Sequence, residues 1–218
     1  GIGNSAVNSF YAVRGVTAGG ESSALSNRAG EFDFGLPGLG PLPIADHCGT
    51  ISANQVWGPN AVHRLTCSVT VAAGVKLTVL PGAVVKAQST SVAISVNGTF
   101  EAKGSAENHV VFTSHRDDTA GGDTNGDGGA STPAKGNWQG IQVNSGGSAT
   151  IDYAVVRYGG YASSGSYALA YVTSGGSLSL TNSTLAYSDQ YGVRVAGAET
   201  PVITGNAIDY CDGYAIYI

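Results

Sequence analysis

Tyr191-Gly192-Val193-Arg194-Val195 and Tyr214-Ala215-Ile216-Tyr217-Ile218 are one phrase written twice, 23 residues apart. Gln139-Gly140-Ile141-Gln142-Val143 and Ala168-Leu169-Ala170-Tyr171 are looser versions upstream. Taking Ile141, Leu169, Val193 and Ile216 as equivalent gives spacings of 28, 24 and 23. Three more series keep step with it: Ile151, Leu180 and Ile203; Val156, Leu185 and Ile208; Tyr158, Tyr187 and Tyr210. Each repeat therefore holds three short alternating segments, separated by Gly, Ser, Asn or Asp. Segments of four or five residues are strands, being too short for helices. Three such strands per repeat make one coil of a parallel β-solenoid. One coil cannot bury its inward face alone, so coils stack and the aligned apolar residues become core ladders.

The pattern continues upstream with poorer spacing. Val69-Val71, Leu77-Val79 and Val84-Val85 read as one coil, and Val92-Ile94-Val96, Phe100 and Val110-Phe112 as the next. About five coils are expected in all. The stretch Val69-Thr-Val-Ala-Ala-Gly-Val-Lys-Leu-Thr-Val-Leu-Pro-Gly-Ala-Val-Val-Lys86 resembles the opening coils of bacterial right-handed parallel β-helix proteins of the pectate-lyase-like superfold. Val96-Asn-Gly-Thr-Phe-Glu-Ala-Lys-Gly-Ser105, His109-Val-Val-Phe-Thr-Ser114 and Gly136-Asn-Trp-Gln-Gly-Ile141 fit the same family. The resemblance covers residues 46–218 and implies an all-β, right-handed parallel β-helix. It says little about activity, because lyases, hydrolases, adhesins and structural proteins share this fold.

Residues 1–33 read differently. Asn8 to Asn27 alternates Phe10 with Ala12 and Tyr11 with Val13, then turns at Gly19-Gly20, which predicts a β-hairpin. The segment resembles the last strands of a fibronectin type III domain. Residues 34–45 form a linker, whose Phe34-Gly-Leu-Pro-Gly-Leu-Gly-Pro-Leu-Pro43 stretch excludes a helix or central strand. The N-terminal Gly1-Ile2-Gly3-Asn4 lacks the basic and apolar regions of a signal peptide. At the other end, Tyr214, Ile216 and Ile218 stop in mid-coil, where solenoids usually carry a polar cap. The expectation is a piece of a longer chain, or an edge that a neighbouring subunit covers.

Composition narrows the function. Formal net charge is -5 and only 11% of the 218 residues are charged. That excludes general nucleic-acid binding, which needs clustered Lys and Arg. No apolar run reaches the ~18 residues of a membrane-spanning helix. Glycine at 33 residues, with abundant Ser and Thr, suits an extracellular or cell-surface protein. Cys48 and Cys67 flank the N-terminal cap of the solenoid and are expected to pair, leaving Cys211 free.

Several groups are candidates for chemistry. Asp123-Thr-Asn125-Gly-Asp127-Gly128 matches the first six positions of an EF-hand-type calcium loop. Ala134 stands where that loop wants a bidentate Glu, so Asp117 or Asp118 would have to fold back. The expected cofactor is a structural Ca2+; the plain alternative is a polar loop of Asx-turns. Asp189 and Asp212 occupy equivalent repeat positions and, with Arg194, are the catalytic candidates; corner capping is the competing reading. Arg157 and Arg194 interrupt strands and are expected to face outward; the resemblance implies for either the basic groove residue of polysaccharide lyases, and the competing reading is a charge on a solvated face. Tyr158, Tyr187 and Tyr210 form one ladder, suited to binding sugar rings or subunits, or to stacking within the solenoid. The four histidines show no ligand spacing. Asn97-Gly98-Thr99 and Asn182-Ser183-Thr184 are glycosylation sequons.

Three functions follow from these residues. The leading one is a non-catalytic structural or adhesive module, self-assembling end to end through Tyr214, Ile216 and Ile218. The others are a carbohydrate-active enzyme and a carbohydrate-binding module. The expected partners are accordingly a second copy or surface carbohydrate.

Overall fold

A computed structural model describes residues 9–11, 19, 29–31, 41–161, 167–197 and 200–218. Two compact units, Gly1–Gly40 and Pro41–Ile218, divide the chain. In the first, Ser9–Tyr11 pairs antiparallel with Ala29–Glu31. The rest of the expected hairpin, with the segment resembling a fibronectin strand pair, lies outside the described residues. The second unit is a right-handed parallel β-helix that begins at Ile44 and contains no helix among its described residues.

Three parallel ladders form its walls. The first face runs from the early part of Val62–Val71 through Val84–Ala87, Val110–Ser114, Ala154–Arg157, Thr184–Ala186 and Ala207–Asp209. The second runs from the late part of Val62–Val71 through Ala93–Val96, Gly140–Val143, Ala168–Val172, Tyr191–Val195 and Ile216–Tyr217. The third stacks Gln55–Trp57, Lys76–Val79, Thr99–Lys103, Ser148–Asp152, Ser177–Thr181 and Val202–Thr204. Ile44–Ile51 precedes them, pairing along Val62–Val71 with a register shift between His47 and Gly49.

The described strands make six three-stranded turns and two strands of a seventh, against the five or so expected. The first turn escapes a periodicity search because polar residues occupy its inward positions. There His47 is in register with buried Leu65 and Gln55 with buried Leu77. In the second turn His63 is in register with Val85, on a ladder that continues through Phe112, Val156, Leu185 and Ile208. At this end His47, Trp57 and His63 stack, with ring centroids 4.2 to 5.2 Å apart, and Trp57 closes the core at 2% exposure.

The core is the set of inward ladders. Val71, Val96, Val143, Val172 and Val195 form one, all buried, on the second face. Burying a Val, Leu or Ile side chain contributes about 1.5–3 kcal/mol, so each added rung stabilises its neighbours. One equivalence expected from spacing needs correction. Ile141 is in register with Ala170, not Leu169, and Ala170 with Val193. The spacings become 29, 23 and 23, matching the Tyr158, Tyr187 and Tyr210 series. Leu169 is fully buried instead beside Gly159.

Corners carry the strain. After the first face, Tyr158, Tyr187 and Tyr210 have φ of 62°, 58° and 55°. This left-handed region costs a non-glycine residue roughly 1–2 kcal/mol. Their rings stack in one column, with centroids 5.1 and 4.9 Å apart and planes 18° and 6° from parallel. Each aromatic pair contributes about 0.5–1.5 kcal/mol beyond its buried area, which offsets part of that cost.

Candidate functional site

The chemistry-bearing residues gather on the first face, where the loop after Val110–Ser114 interrupts the fourth turn. Outward positions on successive strands of this face put Asp46, Arg64, Lys86 and Thr113 in one column. The loop folds back over it. Lys86 is fully buried and donates to the Gly122 carbonyl at 2.6 Å. Arg64 holds Asp46 with two hydrogen bonds, at 2.7 and 2.9 Å, and donates a third to the Thr124 carbonyl at 3.1 Å. Burial pushes the Lys86 ammonium pKa down, and the carboxylates of Asp117, Asp118 and Asp123 push back.

Asp117 is the anchor of the loop. It is fully buried, and its Oδ2 accepts from Thr113 Oγ1 at 2.6 Å and from Arg157 Nε at 2.8 Å. Its Oδ1 accepts from Thr119 Oγ1 at 2.6 Å. Burial alone would raise its pKa; the two threonine hydroxyls and Arg157 outweigh that and hold it below the usual carboxylate range. Both oxygens are thereby committed, which removes Asp117 from the expected metal ligands. Breaking such a buried pair costs about 3–5 kcal/mol, so Arg157 is committed as well. Its guanidinium also lies 5.5 Å from the Tyr158 ring centre.

The remaining four expected metal residues stay together. Asp118, Asp123 and Asp127 each place a carboxylate oxygen within 4.8 Å of the others. Asn125 donates to Asp127 Oδ2 at 2.7 Å. Asp123 accepts the backbone N–H of Gly126 at 2.7 Å and of Gly128 at 2.9 Å, and these bonds lower its pKa. Asp127 takes the backbone N–H groups of Gly129, Ala130 and Ser131, and the Ser131 hydroxyl.

The catalytic candidates do not form a cluster of their own. Asp212 makes an ion pair with Lys135 Nζ at 2.5 Å, and its N–H bonds the Ser188 carbonyl. Asp189 packs against Gly136, whose φ of 72° and missing side chain leave it room. Its N–H bonds the Gly159 carbonyl. The Asp212 carboxylate thus holds the returning leg of the loop through Lys135, and the Asp189 side chain packs on that leg at Gly136. Arg194 lies instead in the outward column of the second face, 4.7 Å from the Tyr171 ring centre and 6.0 Å from that of Tyr217.

The tyrosine column presents edges more than faces. Tyr158 and Tyr187 cover one another, and only Tyr210, 67% exposed, keeps an open outer face. A sugar ring needs an open aromatic face, so these three rings do not form a flat platform. Near Tyr210 the last turn also leaves Tyr214, Ile216 and Ile218 exposed. A polar groove of about 230 Å³ lies beside the loop, lined by residues that include Gln88, Ser114, His115, Arg116 and Asn137. Local sequence gives no sign of this groove, because its residues come from three separate strand ends.

Cys48 and Cys67 are joined by a disulfide, with Cα atoms 4.8 Å apart, tying the first turn to the second. Cys211 is free. No curated protein and no solved structure matched the chain. The family pattern of the pectate-lyase-like beta helix domain matches residues 49–182, from the first turn to the corner after the fifth. That stretch is well over half of the sequence, and with the three parallel ladders it establishes that the chain belongs to the pectate-lyase-like beta helix family.

Proposed function

We propose that the solenoid is a non-catalytic structural or adhesive module of an extracellular or cell-surface protein, able to stack end to end with a second copy. One observation carries this reading: four basic side chains on and around the first face are each spent on a partner within the fold. Arg157 and Asp117, Lys86 and the Gly122 carbonyl, Arg64 and Asp46, and Lys135 and Asp212 hold loop and turns together. A catalytic groove needs such groups free and facing substrate. The disulfide supports an oxidising compartment. The apolar side chains Ile216 and Ile218 on the last turn supply a surface on which a further parallel turn stacks.

Electron microscopy and polysaccharide-degradation assays test both halves. Fibres or short stacks are expected, with an axial repeat on the order of 30 Å from about seven strand spacings of 4.8 Å. Ile216→Asp with Ile218→Asp is expected to disperse them. No release of reducing or unsaturated sugar ends is expected from any polysaccharide offered. Turnover that is lost in Asp189→Asn or Asp212→Asn would overturn the non-catalytic half. Discrete monomers at high concentration would overturn the stacking half.

A further inference from the structure

We infer that the polar groove beside the loop binds a tetrahedral oxyanion, a sulfate or phosphate carried as a monoester on a small hydroxylated ligand. This goes beyond the structural reading and does not rest on it, since a chain that never stacks has the groove as well.

Arg116 stands apart from the other cations. Every other Lys or Arg among the described residues has a partner within the fold. Arg64, Lys135 and Arg157 pair with aspartates, and Lys76 and Lys103 with Glu101. Lys86 donates to the Gly122 carbonyl, and Arg194 lies over the Tyr171 ring. Arg116 is exposed, lines the groove, and its guanidinium has no ion pair, hydrogen bond or ring contact among the described residues. Its backbone is nonetheless fixed, because the N–H donates to Ser114 Oγ at 3.2 Å.

The groups around it are donors. His115 follows Ser114, which is in register with Ala87, so it stands one turn on from Gln88. Asn137 comes from the returning leg of the loop. Its Oδ1 accepts the Ala134 N–H at 2.9 Å, which leaves Nδ2 to donate. No carboxylate lines the groove. Burial first, and then the charges of Arg116, Arg64 and Lys86, lower the His115 pKa, opposed by Asp127 alone. This corner is therefore electropositive in a chain whose net charge is -5.

The donor geometry selects the ligand. A flat carboxylate is satisfied by the two parallel N–H bonds of one guanidinium. A phosphate monoester offers three strong acceptor oxygens in different directions, and a sulfate ester has the same shape. That shape suits donors arriving from three sides: Arg116 and His115 from one corner, Gln88 from the turn before, Asn137 from the returning leg. The groove, at about 230 Å³, is several times the roughly 30 Å³ share of one water. An oxyanion leaves part of it open, and the exposed hydroxyl side chains Ser89 and Thr90 line it as well, which suits a hydroxylated carrier.

Calorimetric titration of the full chain tests the site. Glycerol phosphate and methyl sulfate serve as esters, inorganic phosphate and sulfate as free ions, and acetate as the planar anion. The esters are expected to bind once per chain with a Kd of about 1 mM or tighter, and acetate at least about tenfold more weakly. In amide NMR spectra the His115, Arg116 and Asn137 signals are expected to move with the esters. Arg116→Gln is expected to lose at least about tenfold in affinity at an unchanged melting temperature, because the guanidinium has no partner to lose. Lys103→Gln removes the same charge from the third face and is expected to bind as the wild type does. No binding at about 20 mM ester would sink the inference. So would an equal loss in both variants, which marks unspecific attraction between charges. Acetate or the free ions binding as tightly as the esters would overturn the assignment to a monoester.

Discussion

At the scale of single residues, the corner tyrosines trade backbone strain against stacking. Tyr187 sits between Tyr158 and Tyr210 and shares a face with each. Tyr187→Ala keeps the left-handed φ and loses both stacks, so a loss of about 2–3 kcal/mol is expected in urea unfolding. Tyr187→Gly loses the same contacts but relieves the backbone, and should retain about 1 kcal/mol of that. An equal loss in both variants would show that strain contributes nothing at this corner. The equivalence of these three tyrosines is legible from spacing alone. Their φ values are not, because nothing in Tyr announces a left-handed backbone. Asp117 and Asp118 show the same limit: adjacent carboxylates with identical local sequence merits, separated only by which one meets Arg157 across 40 residues.

At the scale of elements, the N-terminal turn is the most unusual. His63 Nε2 lies 3.0 Å from the Gly58 carbonyl and therefore carries a proton. Its Nδ1 then accepts from His47 Nε2 at 2.9 Å, an arrangement that requires the His63 ring to be neutral. Burial first, and then the neighbouring His63, bring the His47 pKa down to about 4. Burial also lowers His63, against the Gly58 bond. Nearby Asp46 raises His47, though Arg64 holds most of its charge. Because both shifts are downward, the unfolded chain binds protons first as acid is added. Stability should be flat above pH 7 and fall from about pH 6.5 towards 4, by roughly 2–3 kcal/mol in total. His63→Phe, matching Phe112 on the same ladder, should flatten that slope in a series of pH-dependent melts. A profile unchanged by the substitution would place the acid sensitivity elsewhere.

The disulfide belongs to the same element. It closes a loop with a sequence separation of 19, for which loop entropy gives about 3 kcal/mol. Reduction, or Cys48→Ser with Cys67→Ser, is expected to lower the melting temperature while leaving far-ultraviolet dichroism at 25 °C unchanged. Loss of the β signal on reduction would instead mean that the cap cannot form without the bond. The sequence places both cysteines at the cap, yet hides that the cap is itself a full strand-bearing turn. Its inward residues are His and Trp, and aliphatic periodicity does not see them.

At the scale of the whole solenoid, repetition makes the architecture readable. Later turns hold their inward Val, Ile and Leu at spacings of 23 and 29, so the ladders can be traced from spacing alone. The one slip, Leu169 for Ala170, arises because the larger, fully buried Leu169 stands one position before the residue that is in register. The charged column under the loop is invisible for a different reason. Asp46, Arg64 and Lys86 are far apart in sequence, and only stacking aligns them, with Asp117 reaching Thr113 of the same column from the loop. Along the chain they are separate polar residues, whereas the fold makes them one fastening.

That fastening has a mechanical meaning. Each turn of a solenoid touches only its neighbours, so a force applied along the axis at the C-terminal end should peel turns away one at a time. The first to leave, the seventh and sixth, are tied to the loop by the exposed pair Lys135 to Asp212 and by Asp189 packed against Gly136. The fifth turn is held by Arg157 to Asp117 and the third by Lys86 to Gly122. The second is locked covalently to the first. A pulled molecule would thus yield at one end like a tape, stiffen as it reaches the loop, and stop at the disulfide.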